Sequence, residues 1–393
     1  MASVGLELRT IVGERLVARN SVSRAFFERE AHRLALACEE MARRFACGGR
    51  LLALGRGASA TDAQHVAVEF VHPVIVGKRA LPALDVSASF VSVIPALVRE
   101  HDMVMGFSPP SGDPEVEEAL VLASARGAQT FALPGCRGSY AIEPPAADPF
   151  VCQELIEILY HTLWETVHVF FEHGTRSPQE LGASAFLYPF LNGDEKDPSS
   201  IVEDIATSIR AKAADDERLR HQTAHEQGEA IGEATLAVMD RLSGGGSLLI
   251  FGNGGSATDA NDWALDCIAA STDGRIVPAL SLAVEPATIT ALANDVGSDT
   301  IFLRQLIAHG RRGDVAVAIS TSGGSANVIA ALAEARRRGM LTVALLGYDG
   351  GEIARQGLAD WPIVVHCDYI PRIQEVQASI YHVMTEVWRQ WPI

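Results

Sequence analysis

Positive charge is scarce in this sequence: 32 Lys and Arg stand against 49 Asp and Glu, giving a formal net charge of −17. That balance excludes nucleic acid and anionic membrane surfaces as expected partners. Uninterrupted apolar stretches of about 18 residues or more are lacking too, so no membrane span is expected. Residues Met1 to Arg19 carry acids among their apolar positions and lack a signal-peptide core, which predicts a cytoplasmic protein. The six cysteines, Cys38, Cys47, Cys136, Cys152, Cys267 and Cys367, show no C-x-x-C spacing and read as reduced and mostly buried. No Gly-Lys-Ser/Thr follows a Gly-rich turn, and the G-x-G-x-x-G spacing fails, so neither a nucleotide nor an organic cofactor is expected. With 393 residues, 48% of them hydrophobic and 21% charged, the chain suits two or three ordinary globular domains. An anionic metabolite stays open, because backbone N–H groups can hold phosphate within an acidic protein.

What is present is a pair of small-residue turns. Ser247-Leu248-Leu249-Ile250 runs into Phe251-Gly252-Asn253-Gly254-Gly255-Ser256-Ala257, and Val315-Ala316-Val317-Ala318 runs into Ile319-Ser320-Thr321-Ser322-Gly323-Gly324-Ser325. Each reads as a strand, a turn and a helix start. Glycine lets a backbone approach a ligand closely, helix N-termini favour anions, and hydroxyls add donors suited to phosphate oxygens. One such turn is most often only a tight turn; two at strand carboxyl ends point to a ligand site.

The chain also repeats itself. A helical region over residues 6–47 ends at Gly48-Gly49, and the strand Arg50–Leu54 enters Gly55-Arg56-Gly57-Ala58. A second helical region, Ser200 to Leu242, ends at Gly244-Gly245-Gly246 before the Gly252 turn. The string Ser-Ala-Thr-Asp-Ala occurs at 59–63 and again at 256–260. Met103–Phe107 matches Val315–Ile319, Arg126-Gly127 matches Arg338-Gly339, and Gln153 with His161 matches Gln374 with His382. Alternating strand and helix in each copy predicts an α/β fold with a parallel sheet covered by helices on both faces. The predicted domains are 1–173 and 201–393, joined by a Gly- and Pro-rich linker over 174–200.

The motifs of the second copy resemble the sugar isomerase (SIS) fold and, within it, the phosphoheptose isomerases. They are Gly252–Ala257, Ala293-Asn294-Asp295-Val296-Gly297, Phe302-Leu303-Arg304-Gln305, Ser320–Gly323, Asp349-Gly350-Gly351 and Arg372-Ile373-Gln374-Glu375. The resemblance implies two tandem SIS domains, each flavodoxin-like and doubly wound. It implies conversion of sedoheptulose 7-phosphate to a manno-heptose 7-phosphate through an enediol. The implied substrate-binding residues are Asn253, Gly254, Gly255, Ser256, Ser320, Thr321, Ser322, Ser325 and Gln374. The implied metal set is His65, Glu69, Gln153 and His161, with zinc as the candidate ion. Among the implied catalytic residues Glu69 is the base and His161 or His382 the acid, alongside His65. Family members are tetramers of single domains, so a homodimer of four SIS units is expected.

The copies depart from the family in opposite ways. The first keeps His65, Glu69, Gln153 and His161 but has Ser108-Pro109-Pro110-Ser111-Gly112-Asp113 for its second loop. Prolines supply no N–H, and Asp113 would repel phosphate. The second copy keeps its loops but has Asp262 and Asp266 where His and Glu are expected. This reciprocal loss leads us to expect a site composed from both copies. Plainer readings stand beside these. His65 and Glu69 form an ordinary i,i+4 helix pair, Gln374 and His382 fit a packed terminal helix, and Asp262 and Asp266 read as surface acids or as metal ligands of shorter reach. His168, His173, His221 and His225 look solvent-facing, and Glu285 stands where the family usually has Asp. A non-catalytic phosphosugar-binding regulator is the rival function. The isomerase half of a glutamine-dependent aminotransferase is a third, disfavoured because no glutaminase segment is read in the sequence.

Overall fold

The computed structural model describes residues 2–73, 78–173, 198–269 and 276–390. The linker read at 174–200 lies almost wholly outside the described residues, as does the side chain of His173. The chain divides into two compact units, one formed by Asn20–Asp215 and the other by Met1–Arg19 together with Asp216–Ile393. We call them the N-terminal and C-terminal units.

The N-terminal unit follows the order α1 (Ala2–Ala46, from Asn20 onward), β1 (Leu51–Leu54), α2 (Ser59–Val71), β2 (Ala83–Asp85), α3 (Phe90–Leu97), β3 (Met103–Phe107), α4 (Pro114–Ser124), β4 (Gln129–Leu133), β5 (Tyr140–Ala141) and α5 (Pro149–His173). The start of α6 (Pro198–Ser243), through Asp215, also belongs to it. Its five strands are all parallel in the order β2-β1-β3-β4-β5. Strands β1, β3 and β4 are buried along their whole length, which is why they read as unbroken apolar runs rather than alternating ones. Successive residues pack into opposite layers: Leu51 and Ala53 join α1 and α5 on one face, while Leu52 and Leu54 join α3 and α4 on the other.

The C-terminal unit repeats this plan with β6 (Leu248–Gly252), α7 (Gly255–Ile268), β7 (Ala279–Ser281), α8 (Pro286–Asp295), α9 (Ile301–His309), β8 (Val315–Ser320), α10 (Ala326–Arg337), β9 (Leu341–Gly347), α11 (Gly351–Arg355), β10 (Trp361–Val365) and α12 (Ile370–Gln390). Its sheet is parallel in the order β7-β6-β8-β9-β10, the same permutation as in the first unit. The flavodoxin-like, doubly wound α/β expectation is therefore met twice. Even the strand-entry latches repeat. The Asp102 carboxylate accepts from Arg50 N and Arg99 N, each at 2.9 Å, and that of Asp314 accepts from Ser247 N at 2.8 Å and Arg311 N at 2.7 Å. Pro362 sits in β10, an edge strand, where a missing N–H is tolerated.

The first turns of α1 belong to the C-terminal unit, where Leu8, Val12 and Leu16 join its core and Arg15 and Arg19 pair with Glu386 of α12. Of the cysteines, Cys38, Cys152 and Cys267 are buried, Cys367 is partly covered, and Cys47 and Cys136 are exposed, so burial is less general than the sequence suggested. All six are free thiols. Among the described residues no helix is long and apolar enough to cross a membrane.

Candidate active site

In the C-terminal unit the turns after β6 and β8 stand side by side at the carboxyl ends of neighbouring strands. This is where the strand order reverses, the usual place for a ligand in an open α/β sheet. Glycine is required at particular points. A Cβ on Gly252 would lie 2.5 Å from Ser256 O and 2.7 Å from Ile319 O, so that residue lets the first turn pack against β8. Gly323 has φ +59°, and a Cβ there would meet Gly350 O at 2.2 Å. Its carbonyl accepts from Ile353 N of α11 at 2.9 Å, so the Asp349-Gly350-Gly351 turn, with α11 starting at Gly351 as expected, buttresses the second loop. Ser320 is buried and its Oγ accepts from Gly323 N at 3.1 Å; Ser322 Oγ accepts from Gly324 N at 3.3 Å. Ser325 is the N-cap of α10 and its side chain makes no capping bond. The N-cap side chain thus leaves the start of α10 uncapped, with Val328 N donating to Asn327 Oδ1 at 2.9 Å; a helix start without its cap can accept an external anion.

The corresponding place in the N-terminal unit is filled from within. Asp113 caps α4, its Oδ1 accepting from Glu115 N at 2.9 Å and Val116 N at 3.3 Å. Arg56, from the turn after β1, lies 2.9 Å from Glu115 Oε1 and 3.9 Å from Asp113 Oδ2. The protein's own carboxylate caps the helix start that the N-cap side chain leaves uncapped in the other unit.

Helices α2 and α5 bring His65, Glu69 and His161 of the expected acid–base set together. His65 Nε2 lies 3.3 Å from His161 Nε2 and 3.9 Å from Glu69 Oε1, and all three side chains are buried. Their ligand atoms lie within 4.8 Å of one another, a donor set that fits a zinc ion. The Tyr160 ring lies beside both imidazoles, tilted to His65 at 5.3 Å and edge-on to His161 at 5.1 Å between ring centroids. Gln153 donates from Nε2 to Asp62 Oδ2 at 3.3 Å.

The C-terminal unit assembles a different set on the matching helices, α7 and α12. His382 Nε2 lies 3.2 Å from Asp266 Oδ2 and 3.6 Å from Asp262 Oδ2, and the Tyr381 hydroxyl donates to Asp262 Oδ2 at 2.8 Å. Asp262 and Asp266 are buried, which overturns their reading as surface acids: the α7 face that carries them packs against α12. Burial and the Asp262 carboxylate push the Asp266 carboxyl up to about 6, with His382 and Arg389 pulling it back. These three residues also bring their ligand atoms within 4.8 Å of one another. Gln374 is buried on α12, and its amide oxygen has no donor among the described residues.

Two histidine readings were divided by the structure. His221 and His225 are exposed as expected, but His168 is buried, with Nδ1 2.9 Å from Trp164 O and Nε2 2.9 Å from Arg79 O. Its charged sequence context hid a helix face turned inward. Glu285 caps α8 through Ala287 N at 2.9 Å. Sequence reasoning missed Tyr381 and also Asn327, which pairs with Asn253 through two hydrogen bonds of 2.9 Å. The one available signal for Asn327 was its place two residues after Ser325, inside the first turn of α10.

A family model described as the SIS domain matches residues 213–347. The phosphoheptose isomerase of Citrifermentans bemidjiense is 43% identical over 165 residues, covering 41% of this chain and 85% of the relative. That of Geobacter sulfurreducens is 40% identical over 188 residues, covering 48% of this chain and 96% of the relative. Among solved structures, the C-terminal domain of glucosamine-fructose-6-phosphate aminotransferase from Francisella tularensis superposes with a TM-score of 0.60 at 9% identity, covering 95% of this chain and 94% of its own. That likeness is one of fold, and it extends over both units.

Proposed function

Because the chain belongs to the SIS-domain family as a tandem member related to the phosphoheptose isomerases, we propose that it is an aldose–ketose isomerase of a phosphorylated sugar. Sedoheptulose 7-phosphate, giving a manno-heptose 7-phosphate, is the proposed reaction. The observation that carries this reading is the open helix start at Ser325, ringed by Ser320, Thr321 and Ser322 and set beside the Gly252–Ser256 turn. The phosphate is held there by α10 N–H groups and loop hydroxyls, and this grip on a remote part of the sugar positions the reacting carbons.

The chemistry needs a base to take the proton α to the carbonyl and an acid to protonate the oxygen of the enediol. Each unit offers a buried candidate set. In the N-terminal unit Glu69 is the proposed base, with His65 and His161 as the imidazoles that donate and orient; in the C-terminal unit the set is Asp266 and His382, with Tyr381 fixing Asp262. Zinc, where bound, is held by His65, Glu69 and His161 and supplies Lewis-acid polarisation of a carbonyl. Assembly as a homodimer of four SIS units goes with this reading. Sedimentation of the full chain tests it.

The test of function is an isomerase assay with sedoheptulose 7-phosphate on the wild type, Glu69→Gln, Asp266→Asn and Ser320→Ala, with and without chelator. Turnover lost in Ser320→Ala and in one of the acid variants supports the reading and assigns the base. Saturable binding of the sugar phosphate with no turnover in the wild type would replace it with the phosphosugar-binding regulator.

A further inference from the structure

Two separate stretches of chain form the proposed phosphate cradle, and one pair of side chains joins them. Asn253 Nδ2 donates to Asn327 Oδ1 at 2.9 Å, and Asn327 Nδ2 donates to Asn253 Oδ1 at 2.9 Å. Asn253 lies in the turn between β6 and α7; Asn327 is the second residue of α10, immediately after the N-cap Ser325 and Ala326. The orientation of the pair is fixed by the main chain. Asn327 Oδ1 also accepts from Val328 N at 2.9 Å, so its amide cannot turn over without losing a backbone donor. With that oxygen fixed, the Asn327 nitrogen must face Asn253, and the Asn253 amide is held in the complementary sense.

We infer that Asn327 is a positioning residue for ligand binding: it clamps the Gly252–Ser256 turn to the start of α10 and sets the orientation of the Asn253 amide. The inference rests on reading these two loops as the phosphate cradle. Each amide has two N–H donors and an oxygen with two acceptor sites. After the reciprocal pair, Asn253 keeps one N–H and one lone pair for a ligand, both in directions dictated by Asn327. Asn253 is exposed and Asn327 half-buried, so the pair contributes little to the core; its effect is on the geometry of the mouth. In the N-terminal unit the amide pair is replaced by an ion pair at the same two positions, with Arg56 in the place of Asn253 and Glu115 in that of Asn327, 2.9 Å apart.

The test is a double-mutant cycle on the full-length chain, with binding of sedoheptulose 7-phosphate and, separately, of inorganic phosphate measured by calorimetry. The variants are Asn253→Ala, Asn327→Ala and the double substitution. Losing two neutral hydrogen bonds that orient the site corresponds to roughly a tenfold loss of affinity for both probes in Asn327→Ala. The double variant is expected to bind within about twofold of Asn253→Ala, because the second substitution removes an interaction already gone. Melting temperatures within about 2 °C of wild type separate positioning from a fold-wide effect. Where turnover is present, KM rises and kcat stays within about twofold. Additive losses in the double variant, or wild-type affinity in Asn327→Ala, overturn the inference. A wild type that binds neither probe overturns it together with the phosphate reading. Binding with an intact cycle but no turnover overturns the isomerase alone and upholds the clamp.

Discussion

The two units share one fold and differ at one helix start. In the C-terminal unit Ser325 opens α10 without a side-chain cap, whereas in the N-terminal unit Asp113, at the matching position, caps α4 and lies near Arg56. One carboxylate separates a helix start without an N-cap side-chain bond from a self-satisfied turn. The buried sets diverge alongside it, His65–Glu69–His161 in one unit and Asp262–Asp266–His382 in the other. Duplication kept the sheet, whose apolar strands are buried in both copies, while the ends of the strands were free to change chemistry.

Moving the difference from one unit to the other gives the largest effect. Ser325→Asp places a carboxylate where the phosphate is proposed to sit; at roughly 4 Å in a partly screened site this repulsion is of order several kcal/mol, so affinity for sedoheptulose 7-phosphate is expected to fall at least about a hundredfold in calorimetry. Folding stability in the same variant holds or rises, since Asp is a good N-cap. A variant that still binds like wild type would break the comparison.

Glu69→Gln comes next. Loss of a general base is expected to lower kcat roughly a hundredfold or more while leaving the affinity for phosphosugar near wild type. Unchanged turnover would move the reaction to the Asp266–His382 set. Gly323→Ala follows: its φ of +59° alone disfavours a side chain by roughly 1–2 kcal/mol, and the Gly350 carbonyl blocks the Cβ, so both melting temperature and phosphosugar affinity should drop.

Smaller effects sharpen the contrast from the other side. Asp113→Ala removes a helix cap and is expected to lower stability by about 1 kcal/mol in chemical denaturation, with phosphosugar affinity unchanged. Last is a pH effect. The Asp266 carboxyl ionises at about 6 in the fold against 3.8 for an exposed Asp, so the folded state holds its proton more tightly. That contribution to stability is fully present below about pH 3.8 and is lost as pH rises from there through about 6. In chelator-treated protein, Asp266→Asn should flatten the melting temperature across this window; an unaltered profile would place the titration elsewhere.

Much of this was legible in the sequence, for identifiable reasons. Fully buried parallel strands leave continuous apolar runs, and small-residue turns at their ends are conspicuous. The reciprocal loss showed as well, because Pro109, Pro110 and Asp113 are recognisable departures from a phosphate loop. The unit boundary was not legible. Helices α1 and α6 carry apolar positions along their whole length, so nothing in their periodicity marks Arg19 or Asp215 as the point where they pass from one core to the other. Burial of Asp262, Asp266 and His168 was hidden for a related reason: a charged residue on a helix reads as solvent-facing until the opposing helix is placed. The Asn253–Asn327 pair depends on two loops separated by 74 residues, beyond any local pattern.

The most direct test of the central claim, that phosphosugar is held by the C-terminal unit and not by the N-terminal one, is the binding stoichiometry of sedoheptulose 7-phosphate on the full chain. One equivalent per chain, abolished by Ser325→Asp and untouched by Asp113→Ala, is the predicted result. Two equivalents, or one that survives Ser325→Asp and disappears in Asp113→Ala, would contradict it.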